Sequence, residues 1–366
     1  MTKELAKWQK LLITIPMVLI SPLISLYYGL KRIVNSKPKQ NQPIHKGNRF
    51  KQFAYNNWLS NKENAQNNRI FVLFLLPTLF AFTLFVIIPF VQGLYLSFTN
   101  WNGLNNGRER FLGLINYESM FNDSLFYYAI FRTIIYAVLN VIVINLVAFG
   151  LALLVTQNTK LKNVYRAGFF LPNLIGGLVL GYIWQFIYNR ALVKIGAAFA
   201  TSFIVNPDTA MFALIAVVTW QYAGYIMMIY IAAIQNVPQD LVEASKIDGA
   251  SPIQRLKAVT LPLIRQAFTV ASFLTLVTSF KQFDTVQSLT QAGPFGLFPS
   301  WLAELLGISA ETSVRTLTLI AVNIYETAFA QNNLAAGQAK AIVFFFFLLL
   351  ISLMQVYFNK KKEVEM

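Results

Sequence analysis

FYYAIFRTIIYAVLNVIVINLVAFGLALLVT, residues 126–156, carries one formally charged side chain, Arg132. A helix rises about 1.5 Å per residue and a bilayer core is about 30 Å thick, so about 20 such residues suffice to cross it. The stretch reads as a membrane span. Working outward, residues 70–98, 168–188, 211–234, 267–289 and 339–358 form similar apolar runs, and residues 11–30 form a further one near the N-terminus. The whole chain is 56% hydrophobic and 12% charged, against roughly 45 to 50% and 25% for a soluble domain. The fold class is therefore an all-α polytopic membrane protein. Pro77, Pro89, Pro172, Gly176 and Gly177 fall inside spans, where neighbouring helices can satisfy the backbone groups such residues free.

Basic residues set the orientation, because lysine and arginine are retained on the cytoplasmic side. Residues 31–69 hold nine of them against one acid, Glu63, and read as a solvated cytoplasmic linker that can meet anionic lipid; His45 within it is a solvated side chain. Threading alternately from there puts nineteen basic residues inside and five outside, with the loop 293–338 outside and the tail 359–366 inside. The net charge of +15 is thus a topology signal and requires no nucleic acid. The segment 1–30 has basic residues on both flanks; we expect it to span with the N-terminus outside, the rival being an interfacial helix or hairpin broken at Pro16 and Pro22.

Much chemistry is excluded. Cysteine is absent and histidine occurs once, which leaves no thiol nucleophile, transition-metal cluster or histidine-based triad. No G-x-x-x-x-G-K-[ST] phosphate cradle occurs. No catalytic residue and no metal ligand are expected. Charges inside the membrane are functional candidates; here they are Arg132, Lys281, Asp284 and Lys340, of which Lys281 and Asp284 share a helical face and can pair with each other. A proton- or sodium-driven transporter would need more intramembrane acids than Asp284, and a membrane-embedded enzyme would need convergent polar groups.

The informative loop is 236–262, between the fifth and sixth of seven apolar segments on the cytoplasmic side. Pro238 suits a first helical position, and Asp240 and Glu243 place negative charge where the helix dipole favours it. Gly249 can adopt the left-handed conformation that ends a helix. Ser251, Pro252 and Gln254 supply an N-cap, a first-turn proline and a capping-box partner for a second helix ending near Pro262. Two capped helices would project as a knob.

The residues Glu243-Ala-Ser-Lys-Ile-Asp-Gly-Ala250, followed by Leu261-Pro262, closely resemble the coupling-loop signature of permease subunits in binding-protein-dependent ABC importers: E-A-A, three residues, G, then I-x-L-P. Ser245 stands where alanine is usual and Val259 where isoleucine is usual. The resemblance extends over residues 71–358, through Leu76-Pro77, Ser97-Phe-Thr99, Phe111-Leu-Gly-Leu-Ile-Asn-Tyr117, Arg166-Ala-Gly-Phe-Phe-Leu-Pro172, Trp184, Trp220-Gln221 and Gly293-Pro294. It looks like the sugar branch, similar to the first permease of maltose-type and glycerol-phosphate-type systems. The same fold also serves polyamines and phosphate compounds.

The resemblance implies a six-helix permease core over residues 70–358, with the N-terminal helix as an addition, in a bacterial cell membrane. Implied partners are a second, homologous permease, two ATPase subunits that hold ATP and magnesium, and an extracytoplasmic solute-binding protein; this chain would bind no cofactor. Glu243, Ala244, Asp248, Gly249, Ala250, Leu261 and Pro262 would form the ATPase contact. The solute path is expected between the spans that flank the knob. Thr275, Thr278, Ser279 and Gln282 fall at i, i+3, i+4 and i+7 of one span, and Val218, Gln221, Tyr222 and Tyr225 have the same spacing on the other. The resemblance places sugar-contacting positions at Val218, Tyr222, Tyr225, Thr275, Thr278 and Ser279. The competing role for these hydroxyls is interhelical glue, worth about 0.6 kcal/mol per bond. After Gly293-Pro294, Trp301-Leu-Ala-Glu-Leu-Leu306 reads as an amphipathic helix, either a lid on the helix ends or a contact for the binding protein.

Overall fold

The computed structural model describes residues 62–104, 109–157, 160–194, 202–307, 309 and 311–360. The segment 1–30, most of the linker with His45, and the tail beyond Lys360 lie outside the described residues. The chain divides into two compact units at Gly93 and Leu94.

The first unit is the helix α1, Lys62–Phe82, which begins ahead of the expected boundary at Ile70. It continues through a π-helical stretch, Thr83–Ile87, into α2, Ile88–Leu96, whose last three residues belong to the second unit. Pro89 cannot donate to the preceding turn, and the wider π-turn accommodates that.

In the second unit come α3 (Ile115–Phe121) and α4 (Ser124–Val155). They are followed by α5 (Lys162–Phe170), α6 (Gly177–Phe186) and α7 (Ala210–Gln235). After α7 come α8 (Gln239–Ile247), α9 (Pro252–Arg255) and α10 (Leu261–Leu263), and α11 (Arg265–Phe280) leads to α12 (Asp284–Thr290). Strands β1 (Phe295–Leu297) and β2 (Ser313–Arg315) flank α13 (Ser300–Leu306), and α14 (Ile320–Tyr325) precedes the final helix α15 (Leu334–Lys360). Asp123 caps α4 by accepting from the Leu125 N–H. At about 1.5 Å per residue its 32 residues reach about 48 Å, more than the hydrocarbon core requires.

Among the described residues, four helices are long and apolar enough to cross a membrane, or up to six if each of two bent pairs is one span. Residues 162–174 and 177–194 meet at 99°, because Ile175 and Gly176 take extended backbone at ψ 125° and 142°. Pro172 and two consecutive glycines make helix weak there. The Ile175 carbonyl freed by the bend accepts from Gln221 Nε2 at 3.0 Å, so that oxygen is not stranded in an apolar medium. Residues 252–263 and 265–280 meet at 71°. The span expected over 267–289 is also interrupted: helix ends at Phe280 and resumes at Asp284, with Phe283 at φ −135°, ψ −59°. Lys281 and Asp284 therefore share no helical face, and no ion pair joins them. Asp284 instead enters the first turn of α12, where the dipole favours a carboxylate.

The core lies where α4, α6, α7 and α12 pack. Small residues set the spacing, as helices in lipid require. A Cβ on Gly224 of α7 would lie 1.8 Å from the Phe169 carbonyl oxygen, and one on Gly181 of α6 would lie 1.8 Å from Ser288 Oγ.

Residues 293–333 form a folded cap. β1 pairs antiparallel with β2, Phe295 opposite Arg315 and Leu297 opposite Ser313. The expected amphipathic helix is α13; it buries Leu302 and Ala303 and sets Trp301 edge-on to Phe131 of α4 at 4.8 Å. The lid reading is the one this packing supports. Three polar ties fasten the cap and α15 to the N-terminal half of α4: Arg132 Nε donates to the Thr316 carbonyl at 2.8 Å, the Ile320 N–H donates to Thr133 Oγ1 at 2.8 Å, and Lys340 Nζ of α15 pairs with Asp123 Oδ2 at 2.7 Å. Lys340 is buried and also donates to Asn323 Oδ1 and Thr327 Oγ1. Nearby, burial pushes the Glu326 carboxyl up against the opposing pull of Arg315 and Lys340.

Candidate functional site: a coupling knob and a polar seam

The knob is built almost wholly from local signals. Pro238 stands at the N-cap of α8, one place before the expected first helical position, and Asp240 occupies its first turn. At the other end the Gly249 N–H donates to Lys246 O at 3.1 Å and the Ala250 N–H to Ser245 O at 3.0 Å. That paired pattern is a Schellman motif, which needs a left-handed residue. Gly249 supplies it at φ 75°, and an added Cβ would meet nothing within 4 Å. The constraint there is conformational and not steric. Ser251 Oγ accepts from the Gln254 N–H while Gln254 Oε1 accepts from the Ser251 N–H at 2.7 Å, completing the capping box.

Glu243, Ala244, Asp248 and Gly249 are exposed, Ala250 and Leu261 are half-buried, and Pro262 is exposed. Ser245 is buried, but its hydroxyl donates to Val242 O at 2.7 Å, which explains how serine is tolerated where alanine is usual. The loop also exposes Leu241, Ile253 and above all Ile247, at 87%. Leu241, Ala244 and Ile247 follow one another at helical spacing on α8, an apolar ridge that the sequence reading missed. Its signal was available: isoleucine and leucine between charged residues of a short loop helix. Exposed apolar side chains around capped, polar ends suit contact with another protein.

The spans that flank the knob meet α4 in a polar seam. Thr275 Oγ1 accepts from Asn145 Nδ2 at 3.0 Å, Ser279 Oγ accepts from Asn140 Nδ2 at 2.8 Å, and Tyr230 donates to Asn145 Oδ1 at 2.6 Å. Thr275, Ser279, Gln221, Val218 and Gln282 are buried inside the chain, with Gln221 engaged at the Ile175 bend. Gln282 sits in the break after α11, so the expected four-residue stripe stops at Ser279. Tyr222, Tyr225 and Thr278 retain part of their surface. Asn140 and Asn145, the partners of the seam, went unrecognised in the sequence; two asparagines inside an otherwise apolar span were the available sign. Two other quoted motifs turn out to be one structure: Asn116 donates to the Ser97 and Thr99 carbonyls, both at 2.7 Å.

Four to six apolar helices among the described residues, two of them broken by bends, and a capped knob between a pair of spans fit a multi-pass membrane permease. The profile of the family described as "Binding-protein-dependent transport system inner membrane component" matches residues 145–364, and the chain belongs to that family. It is 41% identical over 80% of its length to the "Probable starch degradation products transport system permease protein AmyD" of Thermoanaerobacterium thermosulfurigenes, of which it covers 95%. To the "Probable ABC transporter permease protein YurN" of Bacillus subtilis (strain 168) it is 33% identical over 82%, covering 99% of that protein. A chain of a bacterial ABC transporter for import of the acidic polysaccharide alginate superposes with a TM-score of 0.67 over 82% of this chain and 98% of that one, at 18% identity. The last likeness concerns the fold. The protein is a membrane permease of the ABC importer class.

Proposed function

We propose that this chain forms one half of the translocation path of a sugar or oligosaccharide importer in a bacterial cell membrane. A second, homologous permease forms the other half, two ATPase subunits with ATP and magnesium drive it, and an extracytoplasmic binding protein delivers the solute. The capped knob carries this reading. Its ends are held by a Schellman motif and a capping box, so it can transmit force as a rigid body to the spans on either side. Glu243, Ala244, Asp248, Gly249, Ala250, Leu261 and Pro262 form the contact with the ATPase, helped by Leu241 and Ile247. The basic-residue count puts the knob in the cytoplasm and the cap outside.

Closure of the ATPases would rock the flanking spans and alternate access to a site on the seam side of α7 and α11. Tyr222, Tyr225 and Thr278 are the residues best placed to meet solute there. Val218, Gln221, Thr275, Ser279 and Gln282 support them from behind in the described conformation, and join the path as the seam opens. The sugar class is supported by the relative named for starch degradation products, which the chain matches along nearly all of that protein's length.

The test is ATP hydrolysis by the purified complex of both permeases and both ATPases in lipid. Binding protein mixed with maltotriose should stimulate hydrolysis, and spermidine or glycerol 3-phosphate should not. Stimulation by either of those and not by the sugar would refute the sugar reading.

A further inference from the structure

A second polar site lies in the outer half of the molecule, away from the seam. Between α4, the turn before α7 and the β1–β2 pair is a cavity of about 580 Å³, within the range of small-molecule sites. Arg132 forms part of its wall. Its Nε is held by the Thr316 carbonyl and its guanidinium carbon lies 6.0 Å from the centre of the Tyr128 ring. It enters no ion pair, and its terminal nitrogens have no hydrogen bond among the described residues. An arginine on a membrane helix with its outer donors unspent is costly unless something uses them. Asp208 and Ser313 also line the cavity and are exposed. Asp208 forms no ion pair with Arg132, yet both line the same space. Phe295 offers an apolar ring, 63% exposed, with Arg315 stacked over it at 5.4 Å.

The chemistry of the lining selects a ligand class. A simple anion would gain from Arg132 and be opposed by Asp208; a simple cation would meet the reverse. A neutral polyhydroxylated ring satisfies both, because each hydroxyl donates and accepts, and its C–H face can lie on Phe295. We propose that this cavity is an outer saccharide subsite, which holds one end of an oligosaccharide while the other end occupies the seam. The inference rests on the sugar reading above. Arg132 stands eight residues before Asn140 of the seam, about 12 Å along a helix. A chain longer than a disaccharide is therefore needed to engage both places.

The test is uptake of maltose and of maltopentaose by proteoliposomes containing the complete complex and its binding protein. Arg132→Gln and Asp208→Asn should each lower the ratio of maltopentaose to maltose uptake by about tenfold, the effect of one charge-assisted hydrogen bond. Asp208→Asn guards against a folding artefact, since Asp208 takes no part in the Arg132 to Thr316 tie. An unchanged ratio in both variants would overturn the subsite and leave the sugar reading standing. Failure of the unaltered complex to take up either sugar would overturn both.

Discussion

Replacing Gly249 isolates the contribution of one backbone conformation to coupling. At φ 75° with empty space around the missing Cβ, a side chain there costs only the left-handed conformation. That cost is about 1 to 2 kcal/mol for an ordinary L-residue, less for asparagine and more for a β-branched residue. One to two kcal/mol is roughly a 5- to 30-fold loss in the population of the correct turn. The Schellman bonds from Gly249 and Ala250 fix the angle between α8 and α9, so ATP hydrolysis stimulated by loaded binding protein should fall in the order Gly, Asn, Ala, Val. Gly249→Ala should lose roughly 5- to 30-fold and Gly249→Asn distinctly less, with the subunit still inserted and assembled. The assay is stimulated ATPase activity of the reconstituted complex, normalised to assembled permease by size exclusion. Wild-type stimulation in Gly249→Val would refute the reasoning. So would equal losses in Asn and Ala, which would mean that any side chain at this position collides with a partner.

The remaining expectations concern the cap, the seam and the topology. Lys340→Met should lower the melting temperature of the detergent-solubilised subunit, because it removes the charge-assisted bond to Asp123 at a cost of about 1.5 to 3 kcal/mol; adding Asp123→Asn should recover part of it, and no recovery would exclude the pair as the cause. Tyr225→Ala and Thr278→Val should abolish or redirect uptake while the complex stays assembled, whereas Thr275→Val, which breaks the bond to Asn145, should reduce assembly instead; the opposite pattern would interchange path and seam. Single cysteines at Ser309 and Lys361 should be labelled and protected, respectively, by an impermeant thiol reagent in intact cells, and reversed labelling would invert the orientation.

The parts of this architecture legible from sequence are those held by near neighbours in the chain. Span existence follows from apolar length, and the knob follows from Gly249, Ser251 and Gln254, whose partners lie within a few residues. The bend at Ile175 was not legible, since Pro172 and Gly176 announce only weakness; what makes the bend tolerable is Gln221, on another helix. The break after Phe280 was hidden because hydropathy averages across Lys281, Gln282 and Asp284 as though helix continued. The hydroxyls of Thr275 and Ser279 were visible as a stripe, but a stripe does not say whether it faces a solute or another helix. Asn140 and Asn145 decide that, and periodicity within α11 contains no information about them.

The three ties that join α4 to the cap and to α15 also bear on how the protein is made. They join residues 184, 187 and 217 positions apart, so none can form when α4 first enters the bilayer. At a synthesis rate of about 5 to 20 residues per second, Lys340 follows Asp123 by about 10 to 40 s. Until Thr316, Ile320 and Lys340 are made in turn, Arg132, Thr133 and Asp123 must rely on headgroups, water or the insertion machinery for partners. A ribosome stopped before Lys340 would release a chain in which α4 carries an unpaired charge, Asp123, at its N-terminus.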